Sequence, residues 1–511
     1  MLATTHTLFI NGIEAIPVKV EVDIQNGLPN FELIGLAQAA LKEARERVKS
    51  ALKNSGYEFP NRKIIVNLAP ADLKKEGGHF DLAIAVGILM ASGQVNPEGG
   101  ENLFFAGELS LDGSLRQVPG ILPMSLALAE AGGDNRLIVP AANRREAALV
   151  HETQALAAEN LQAVIDWLEG NETLSTVNGE RLSPDYKSDE AFPDFSEVKG
   201  QESAKRALQV AAAGLHNLLL IGPPGGGKTM LARRMPGIMP EMNREEILET
   251  TRIYSVAGLL NPEHPLILAR PFRAPHKNAS AASIIGGGRI PRPGEISLAQ
   301  NGVLFLDEFT EFSRDVLEAL RQPLEDKVVT IARSQATCTY PANFSLIASC
   351  NPCPCGFYGS DLECTCTPLQ IQKYLGRISG PLLDRMDLQV EVPRVVFDQL
   401  RAEGSGESSA VLREKVLQAR DIQQKRFTRH KFKLNSQMHP ADVKRFCRLD
   451  EGSSTLLKNA FDRLKMSARA YDRILKVART VADLDGAADI KIQHLAEAMQ
   501  YRSLDRKYWH N

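Results

Sequence analysis

The chain has few cysteines, almost no net charge and no long apolar run, and each absence excludes a class of protein. Seven cysteines in 511 residues are too few for a disulfide scaffold. Lysine plus arginine (60) nearly cancel aspartate plus glutamate (62), so any nucleic-acid surface has to be a local patch. The longest apolar run, residues 82–91, is far shorter than the ~20 residues that span a bilayer. No signal-peptide pattern opens the sequence, and we expect a soluble cytoplasmic protein.

The length suffices for three or four units at ~100–200 residues per domain. Residues 1–170 alternate short β-like runs with amphipathic helical runs, which predicts an α/β domain. Residues 171–192 are polar and predict a linker, and residues 193–400 predict a second α/β domain. A flexible connection is expected over 401–410. Residues 411–511 carry Leu, Val and Ala at spacings of three and four, which predicts a helical domain.

The strongest motif is a glycine-rich loop between an apolar strand and a helix. The sequence GPPGGGKT at 222–229 fits the phosphate-binding pattern G-x-x-x-x-G-K-[ST] in its required context. Glycines let backbone N–H groups turn toward phosphate oxygens, and the helix N-terminus adds positive potential. Lys228 is predicted to bind the β- and γ-phosphates, and Thr229 to bind Mg²⁺. The predicted nucleotide-binding residues of this segment are Gly222, Pro223, Pro224, Gly225, Gly226, Gly227, Lys228, Thr229 and Met230.

Two further apolar strands end in polar side chains that suit phosphate chemistry. The run GVLFLDEF places Asp307 and Glu308 at the carboxyl end of a predicted strand, where parallel α/β sheets bind ligands. Asp307 is predicted to hold Mg²⁺ and Glu308 to act as the general base on the attacking water. The run FSLIASCNP ends at Asn351, whose amide is predicted to orient that water. A turn-forming Asn-Pro is the alternative interpretation of Asn351, and the residues favour neither.

Four of the cysteines form the pattern CxC–x8–CxC, with ligand candidates Cys353, Cys355, Cys364 and Cys366. Four thiolates so close in sequence would hold a tetrahedral Zn²⁺ and order the loop between them. The CxC spacing departs from the usual CxxC knuckle, so reduced free thiols and a redox pair stay open as alternatives. The other three cysteines are predicted to be core residues: Cys338, Cys350 and Cys447.

Long segments of the chain resemble the ComM/YifB group of magnesium-chelatase-like AAA+ ATPases, the competence-associated branch-migration helicases of bacteria. The resembling segments are residues 66–89, 106–123, 271–309, 314–333, 351–356 and 378–388. The resemblance implies an α/β fold of three parts: a Lon-protease-like N-terminal domain, a central AAA+ domain and a C-terminal helical lid. It also implies ATP and Mg²⁺ as cofactors and a homo-hexameric ring.

The resemblance implies roles for residues outside the phosphate loop. Arg385, in LLDRMD, corresponds to the arginine finger that reaches the ATP of a neighbouring subunit. Arg469 lies in a segment similar to the sensor-2 helix and is expected to contact the γ-phosphate, with Arg473 a weaker candidate. A solvated basic helix face is the alternative for both. Val198 and Gln201 correspond to the segment that packs beside the adenine.

The same resemblance places DNA contacts on two hairpins. Arg289 and Arg292 lie in the first, at 285–297, and Arg333 lies in the second, at 327–340. In a hexameric ring both hairpins would face the pore, where six copies of one arginine form a positively charged channel. Two ordinary surface loops with solvated arginines are the alternative.

The N-terminal domain is expected to be a non-catalytic scaffold, with a DNA-binding or assembly collar as a further role. Proteolytic Lon-type domains use a serine and a lysine. The resembling segments hold His79, or a neighbour, at the serine position and about Leu122 at the lysine position. Without a hydroxyl nucleophile and an amine base, we expect that the domain forms no acyl-enzyme intermediate.

Three functional hypotheses follow. The first is an ATP-dependent hexameric DNA motor that promotes branch migration in recombination during natural transformation. Its partners would be single-stranded, double-stranded or branched DNA and recombination proteins, with no membrane. The second is an AAA+ remodeller of a protein or chelatase-like complex that does not move on DNA. The third, a sequence-specific regulator, requires a helix-turn-helix, and residues 411–511 show no convincing one.

Overall fold

The structure is a computed structural model that describes residues 1–35, 38–70, 75, 77–97, 102–177, 192–288, 291–333, 337–395, 406–464 and 467–509. The predicted α/β fold class is confirmed, with an N-terminal α/β part, a central α/β part and a C-terminal helical part. Three predicted features lie at least partly outside the described residues. They are Arg289, the linker residues 178–191 and the connection residues 401–405.

The N-terminal part is built on one eight-stranded sheet. Its strands are β1 (Leu2–Asn11), β2 (Glu14–Gln25), β3 (Asn30–Ile34), β4 (Lys63–Ala69), β5 (Leu103–Phe105), β8 (Arg136–Pro140), β9 (Gln154–Ala158) and β10 (Ser175–Thr176), and a separate small pair is β6 (Glu108–Leu109) with β7 (Leu115–Arg116). The sheet order is β10-β9-β8-β5-β1-β2-β4-β3. Two residues of the predicted linker therefore belong to the sheet, because β10 pairs with β9.

Five helices cover this sheet: α1 (Gln38–Asn54), α2 (Asp81–Ser92), α3 (Ile121–Ala131), α4 (Arg144–Ala147) and α5 (Leu161–Leu168). Alternate residues of β2, such as Val18, Val20 and Val22, are buried, as expected for a strand with one face toward a core. Helix α2 is buried nearly all round, which explains why its sequence is apolar on every face.

The central part holds a five-stranded parallel sheet. Its strands are β11 (Leu218–Ile221), β12 (Phe272–Arg273), β15 (Val303–Leu306), β18 (Ser345–Cys350) and β19 (Leu388–Glu391), in the order β12-β15-β18-β11-β19. Strands β11, β15 and β18 are buried at every residue, because helices cover both faces of a parallel sheet. Two short hairpins project from this part: β13 (Gly286–Gly287) with β14 (Arg292–Pro293), and β16 (Val328–Ala332) with β17 (Thr337–Pro341).

The helices of the central part are α6 (Glu202–Gly214), α7 (Lys228–Ile238), α8 (Arg244–Ala257), α9 (Ala281–Ile285), α10 (Glu295–Leu298), α11 (Arg314–Ala319), α12 (Arg321–Asp326), α13 (Pro368–Leu375) and α14 (Gly380–Leu383). Helix α7 begins at the lysine of the phosphate loop. Because the strands are parallel, Asp307 after β15 and Asn351 after β18 lie at the edge where α7 begins.

The C-terminal part contains α15 (Ser409–Arg426), α16 (Pro440–Phe446), α17 (Glu451–Leu464), α18 (Ala468–Leu484), α19 (Ile492–Gln500) and α20 (Leu504–Tyr508). Most of these helices share one apolar core with the central sheet; Leu412 and Val416 of α15 belong to the same cluster as Ala207 of α6. Leu504 of α20 packs into a second cluster of the central part. Buried Arg420 also donates to the backbone oxygen of Ala212 at 2.6 Å. In the described part of the chain, no helix is long and apolar enough to cross a membrane.

Candidate functional site

The phosphate loop connects β11 to α7 with a backbone that requires glycine. Gly225 and Gly227 have φ angles of +77° and +86°, in the left-handed region that side chains disfavour. A Cβ at Gly222 would collide with the backbone oxygen of Val392 beside it. The loop is thus held against the end of β19 and curls around the N-terminus of α7, as an anion site requires.

Lys228 lies inside this loop and is 9% exposed. Its Nζ donates to the backbone oxygens of Gly222 at 2.7 Å and Pro223 at 3.0 Å, and to Oδ1 of Asn351 at 3.2 Å. Burial lowers the pKa of Lys228, and the nearby acidic groups oppose that shift. The ammonium is therefore held among neutral oxygens, which phosphate oxygens would replace as acceptors.

Asp307 connects the loop to the neighbouring strands. Its Oδ2 accepts a hydrogen bond of 2.6 Å from the Thr229 hydroxyl, and its Oδ1 accepts from the Ser349 hydroxyl and from the backbone N–H of Glu308. A carboxylate and a hydroxyl this close form the oxygen donor set that Mg²⁺ prefers, so Thr229 and Asp307 fit the predicted metal role. Ser349 is not among the predicted site residues, although it is a polar residue near the carboxyl end of a mostly apolar strand.

Glu308 follows Asp307 with an unusual backbone. Its φ of +51° is in the left-handed region, a strained conformation for a residue with a side chain. Its Oε2 lies 2.5 Å from Nζ of Lys277, and this hydrogen bond raises the pKa of the lysine. Lys277 is a second residue that sequence analysis missed. It holds the carboxylate beside the phosphate loop in a strained turn of the kind that clusters at active sites.

Most of the predicted phosphate-binding residues and both acidic residues line one cavity, whereas Gly222 and Pro223 line a separate cavity on the other side of the loop. The first cavity has a volume of about 450 Å³, and its lining includes Pro224, Gly225, Gly226, Gly227, Lys228, Thr229, Met230, Asp307, Glu308 and Asn351. A neighbouring cavity of about 350 Å³ shares Thr229, Asp307 and Glu308 with it and adds Arg233 and Lys277. The arrangement can hold a phosphate chain at the loop and a water beside Glu308.

The two residues expected near the adenine lie at the edge of the loop. Val198 is completely buried in the central core. Gln201 donates through Nε2 to the backbone oxygens of Gly226 at 3.2 Å and Pro393 at 2.6 Å. Gln201 therefore fixes the rim of the phosphate loop through main-chain contacts, while Val198 packs in the core.

The two arginines expected to read the γ-phosphate lie together, away from the loop of their own chain. Arg385 is 7% exposed, donates to the backbone oxygens of Arg321 at 3.0 Å and Pro381 at 2.7 Å, and pairs with the carboxylate of Glu325. Arg469 is largely exposed and lies 3.9 Å from the same Glu325 carboxylate. Neither contributes to the 450 Å³ cavity.

The weaker candidate, Arg473, has a different environment. It forms an ion pair of 3.4 Å with Asp387, which also accepts from the backbone N–H of Asn217 at 3.0 Å. Burial raises the pKa of Asp387, but Arg473 and His216 outweigh it and hold that pKa well below its usual range. Arg473 therefore ties the C-terminal helices to the central sheet, and its contacts are structural.

The two predicted DNA-binding hairpins pack into one surface. The Tyr340 hydroxyl of the second hairpin donates to the backbone oxygen of Pro291 in the first at 2.7 Å. A Cβ added at Gly287 would lie 3.3 Å from Nη2 of Arg333, so this guanidinium rests against the first hairpin. Arg292 and Arg333 are both exposed. We call these two β-pairs and their arginines the twin hairpins.

The N-terminal domain contacts the twin hairpins directly. The turn between β1 and β2 inserts Gly12 against the backbone oxygen of Thr339, and Asn11 accepts a hydrogen bond of 3.2 Å from the Cys338 thiol. Arg252 of α8 donates to the backbone oxygen of Ile13 at 2.6 Å. The N-terminal domain thus supports β17 of the second hairpin at Cys338 and Thr339, toward its turn, through a contact between residues more than 200 positions apart.

The residues at the Lon-type catalytic positions are buried. His79 is 8% exposed, and burial lowers its pKa to about 4, so it is neutral near pH 7. Leu122 is completely buried, and its backbone N–H donates to Glu146 at 2.9 Å.

The four clustered cysteines lie in the loop that follows Asn351. Their sulfur atoms are all within 4.8 Å of one another. All seven cysteines lie in described ranges and none forms a disulfide. Cys338, Cys350 and Cys447 are buried, as predicted.

Comparisons with known families match nearly the whole chain in three pieces. Residues 20–143 match "Subunit ChlI of Mg-chelatase", residues 194–400 match "Magnesium chelatase, subunit ChlI", and residues 406–502 match the ChlI C-terminal family. The first two matches fall within the N-terminal and central α/β parts, and the third covers most of the helical part.

Individual relatives agree with these matches. The competence protein ComM of Haemophilus influenzae is 46% identical over 99% of this chain and 98% of its own length. The protein YifB of Escherichia coli is 45% identical over 100% of this chain and 98% of its own length. An archaeal Lon protease of Methanothermobacter thermautotrophicus is 38% identical over 20% of this chain and 15% of its own length.

Proposed function

Because this chain belongs to the ComM/YifB group of the magnesium-chelatase AAA+ family, we propose that it is an ATP-driven DNA motor that promotes branch migration in recombination during natural transformation. The competence name of the Haemophilus relative supports the process. The proposed active form is a homo-hexameric ring in the cytoplasm, where ATP and incoming DNA are both available. Recombination proteins are its proposed partners.

The proposed ATPase chemistry uses the residues around the 450 Å³ cavity. Lys228 and the loop N–H groups bind the phosphate chain of ATP, and Asn351 orients the attacking water. Glu308 leaves its hydrogen bond with Lys277 and accepts the proton of that water. Thr229 and Asp307 would hold Mg²⁺, which supplies positive charge against the phosphate oxygens.

The proposed arginine contacts come from the adjoining subunit. Arg385 and Arg469 share Glu325 and lie away from their own phosphate loop, so both are assigned to the ATP of the neighbour. The phosphate charge would attract both guanidinium groups away from Glu325. Hydrolysis then depends on ring assembly, since one chain alone does not bring these two guanidinium groups to its own phosphate site.

The proposed DNA contact rests on one observation, the packing of the twin hairpins into a single surface that carries Arg292 and Arg333. The total charge of the chain supplies no attraction to DNA, so a local cluster is required. Ring symmetry would repeat this pair of arginines in every subunit and concentrate positive charge around one opening. Arg289 belongs to the same proposed contact.

The proposal is tested by measuring ATP turnover with and without single-stranded, double-stranded and branched DNA, together with the mass of the particle in ATP. We expect DNA to stimulate turnover severalfold and the particle to contain six chains. An assembled ATPase whose turnover is changed by none of the three DNA types would favour the remodeller hypothesis. A single chain whose turnover does not respond to DNA would contradict the motor.

Arg333→Ala is expected to weaken DNA binding about tenfold, ~1.4 kcal/mol, and to abolish the stimulation of ATP turnover by DNA. The reason is the loss of a phosphate-binding cation from every subunit, while the ATP cavity is untouched. DNA affinity is measured by fluorescence anisotropy at several salt concentrations.

The matched control for this variant is Arg429→Ala, which removes an exposed arginine from the helical part. It should bind DNA like the unmodified protein. Equal affinities of both variants would exclude the second hairpin from the DNA surface.

A further inference from the structure

The sulfur atoms of the four-cysteine cluster have the spacing of a single-ion site. Cys353 Sγ lies 3.3 Å from Cys355 Sγ and 3.8 Å from Cys364 Sγ, and Cys355 Sγ lies 3.6 Å from Cys364 Sγ. A tetrahedral Zn²⁺ with Zn–S bonds of ~2.3 Å separates its sulfurs by about 3.8 Å. These three separations lie at or up to ~0.5 Å below that value, so the sulfurs are close enough for one tetrathiolate ion although each pair has the CxC spacing.

Backbone donors around the cluster point toward sulfur. The N–H of Cys355 donates to Cys366 Sγ at 3.4 Å, and the N–H of Tyr358 donates to Cys353 Sγ at 3.3 Å. Such donors offset the negative charge of four thiolates around one divalent ion. In an iron–sulfur cluster an inorganic core lies between the ligands, so a set within 4.8 Å fits one ion better.

The loop that carries the cluster is long and irregular. Residues 351–367 are all described and contain neither a helix nor a strand. Loops of this length without secondary structure are uncommon in compact domains, and a structural metal supplies the missing folding free energy.

One turn of this loop touches the phosphate loop. Gly356, with φ of +88°, lies so close to Pro224 that an added Cβ would be 2.5 Å from Pro224 Cδ and 3.8 Å from Asn351 Cγ. The N–H of Gly356 donates to the backbone oxygen of Cys353 at 3.0 Å, so a ligand candidate fixes the position of this glycine.

We propose that Cys353, Cys355, Cys364 and Cys366 bind one Zn²⁺ as thiolates, and that the metal braces the phosphate loop through Gly356 and Pro224. The metal orders the turn from Cys353 to Gly356, and that turn then restrains Pro224 on one side and Asn351 on the other. The bracing role, but not the metal site, rests on the proposed nucleotide function.

The metal site is tested by elemental analysis of the full chain purified without chelator. We expect about one zinc per chain, and almost none in Cys364→Ser. The control Cys447→Ala removes a buried thiol from the helical part and should keep its zinc. Iron in place of zinc, a metal-free chain, or an intact mass that reveals disulfides among the four cysteines would overturn the site.

The bracing role is tested by the affinity for a fluorescent ATP analogue at constant Mg²⁺. Removal of zinc with a zinc-selective chelator should weaken binding about tenfold, the scale expected when a supporting contact is lost, and added zinc should restore it. Gly356→Ala should keep zinc and lose a similar factor, because the new methyl displaces Pro224. Unchanged affinity in both experiments would overturn the brace.

Two controls separate the possible failures. If Cys364→Ser does not fold, the reversible chelator experiment on the unmodified chain still decides both halves of the proposal. A zinc-loaded chain that binds no ATP analogue at all would remove the brace together with the proposed nucleotide function, whereas zinc content would still confirm the metal site.

Discussion

Glu308→Gln is expected to bind ATP with unchanged affinity and to hydrolyse it about 10²- to 10⁴-fold more slowly. The glutamine amide has the shape of the carboxylate but accepts no proton from the attacking water. The carboxylate is positioned for this role by its left-handed backbone and by its 2.5 Å contact with Lys277. Single-turnover release of phosphate, measured on assembled protein, checks the chemical step.

The matched control for this variant is Glu311→Gln, three residues further along the chain. Glu311 forms an ion pair with Arg377 at 3.0 Å and is not among the residues that line either cavity. It should retain nearly full turnover. Near-normal turnover by Glu308→Gln would remove Glu308 as the base, and loss of ATP binding by that variant would assign it a role in binding instead.

Lys228→Ala is expected to weaken ATP binding at least a hundredfold, or ~3 kcal/mol. The variant removes the cation proposed to bind the phosphates and the side chain that bonds to Gly222 and Asn351 within the loop. Calorimetric titration with a non-hydrolysable ATP analogue gives the affinity directly.

The control variant Lys373→Ala removes an exposed lysine from α13 and should bind the analogue normally. A thermal melt of each variant shows whether the fold is intact, since Lys228 also bonds to its own backbone. Tight binding of the analogue by folded Lys228→Ala would contradict the phosphate-loop assignment.

Much of the candidate ATP site could be predicted because its signals are local. The phosphate loop is built from a strand, a loop with glycines at fixed offsets and a helix that follow one another in sequence. The pattern at 222–229 therefore predicts the strand–loop–helix geometry directly. Asp307 and Asn351 follow apolar runs, and parallel strands bring their carboxyl ends to one edge. The cavity that these residues line together agrees with this expectation.

Other features could not be predicted because they join distant positions. Lys277 reaches Glu308 across 31 residues, and Ser349 reaches Asp307 across 42. Glu325 pairs with Arg385 of the central part, and Arg469 of the C-terminal part lies near the same carboxylate. The predicted contact of Arg469 with the γ-phosphate comes from a local segment, which carries no signal of this shared carboxylate.

The sequence by itself determined the α/β class, the phosphate loop and the acidic pair, since short-range spacing and strand alternation encode them. Only the tertiary structure decided that the twin hairpins meet, that the N-terminal turn supports one of them, and that four sulfurs converge beside the phosphate loop. Those contacts depend on how elements far apart in the sequence pack together. Such packing involves the whole chain, so a local pattern of residues cannot predict it.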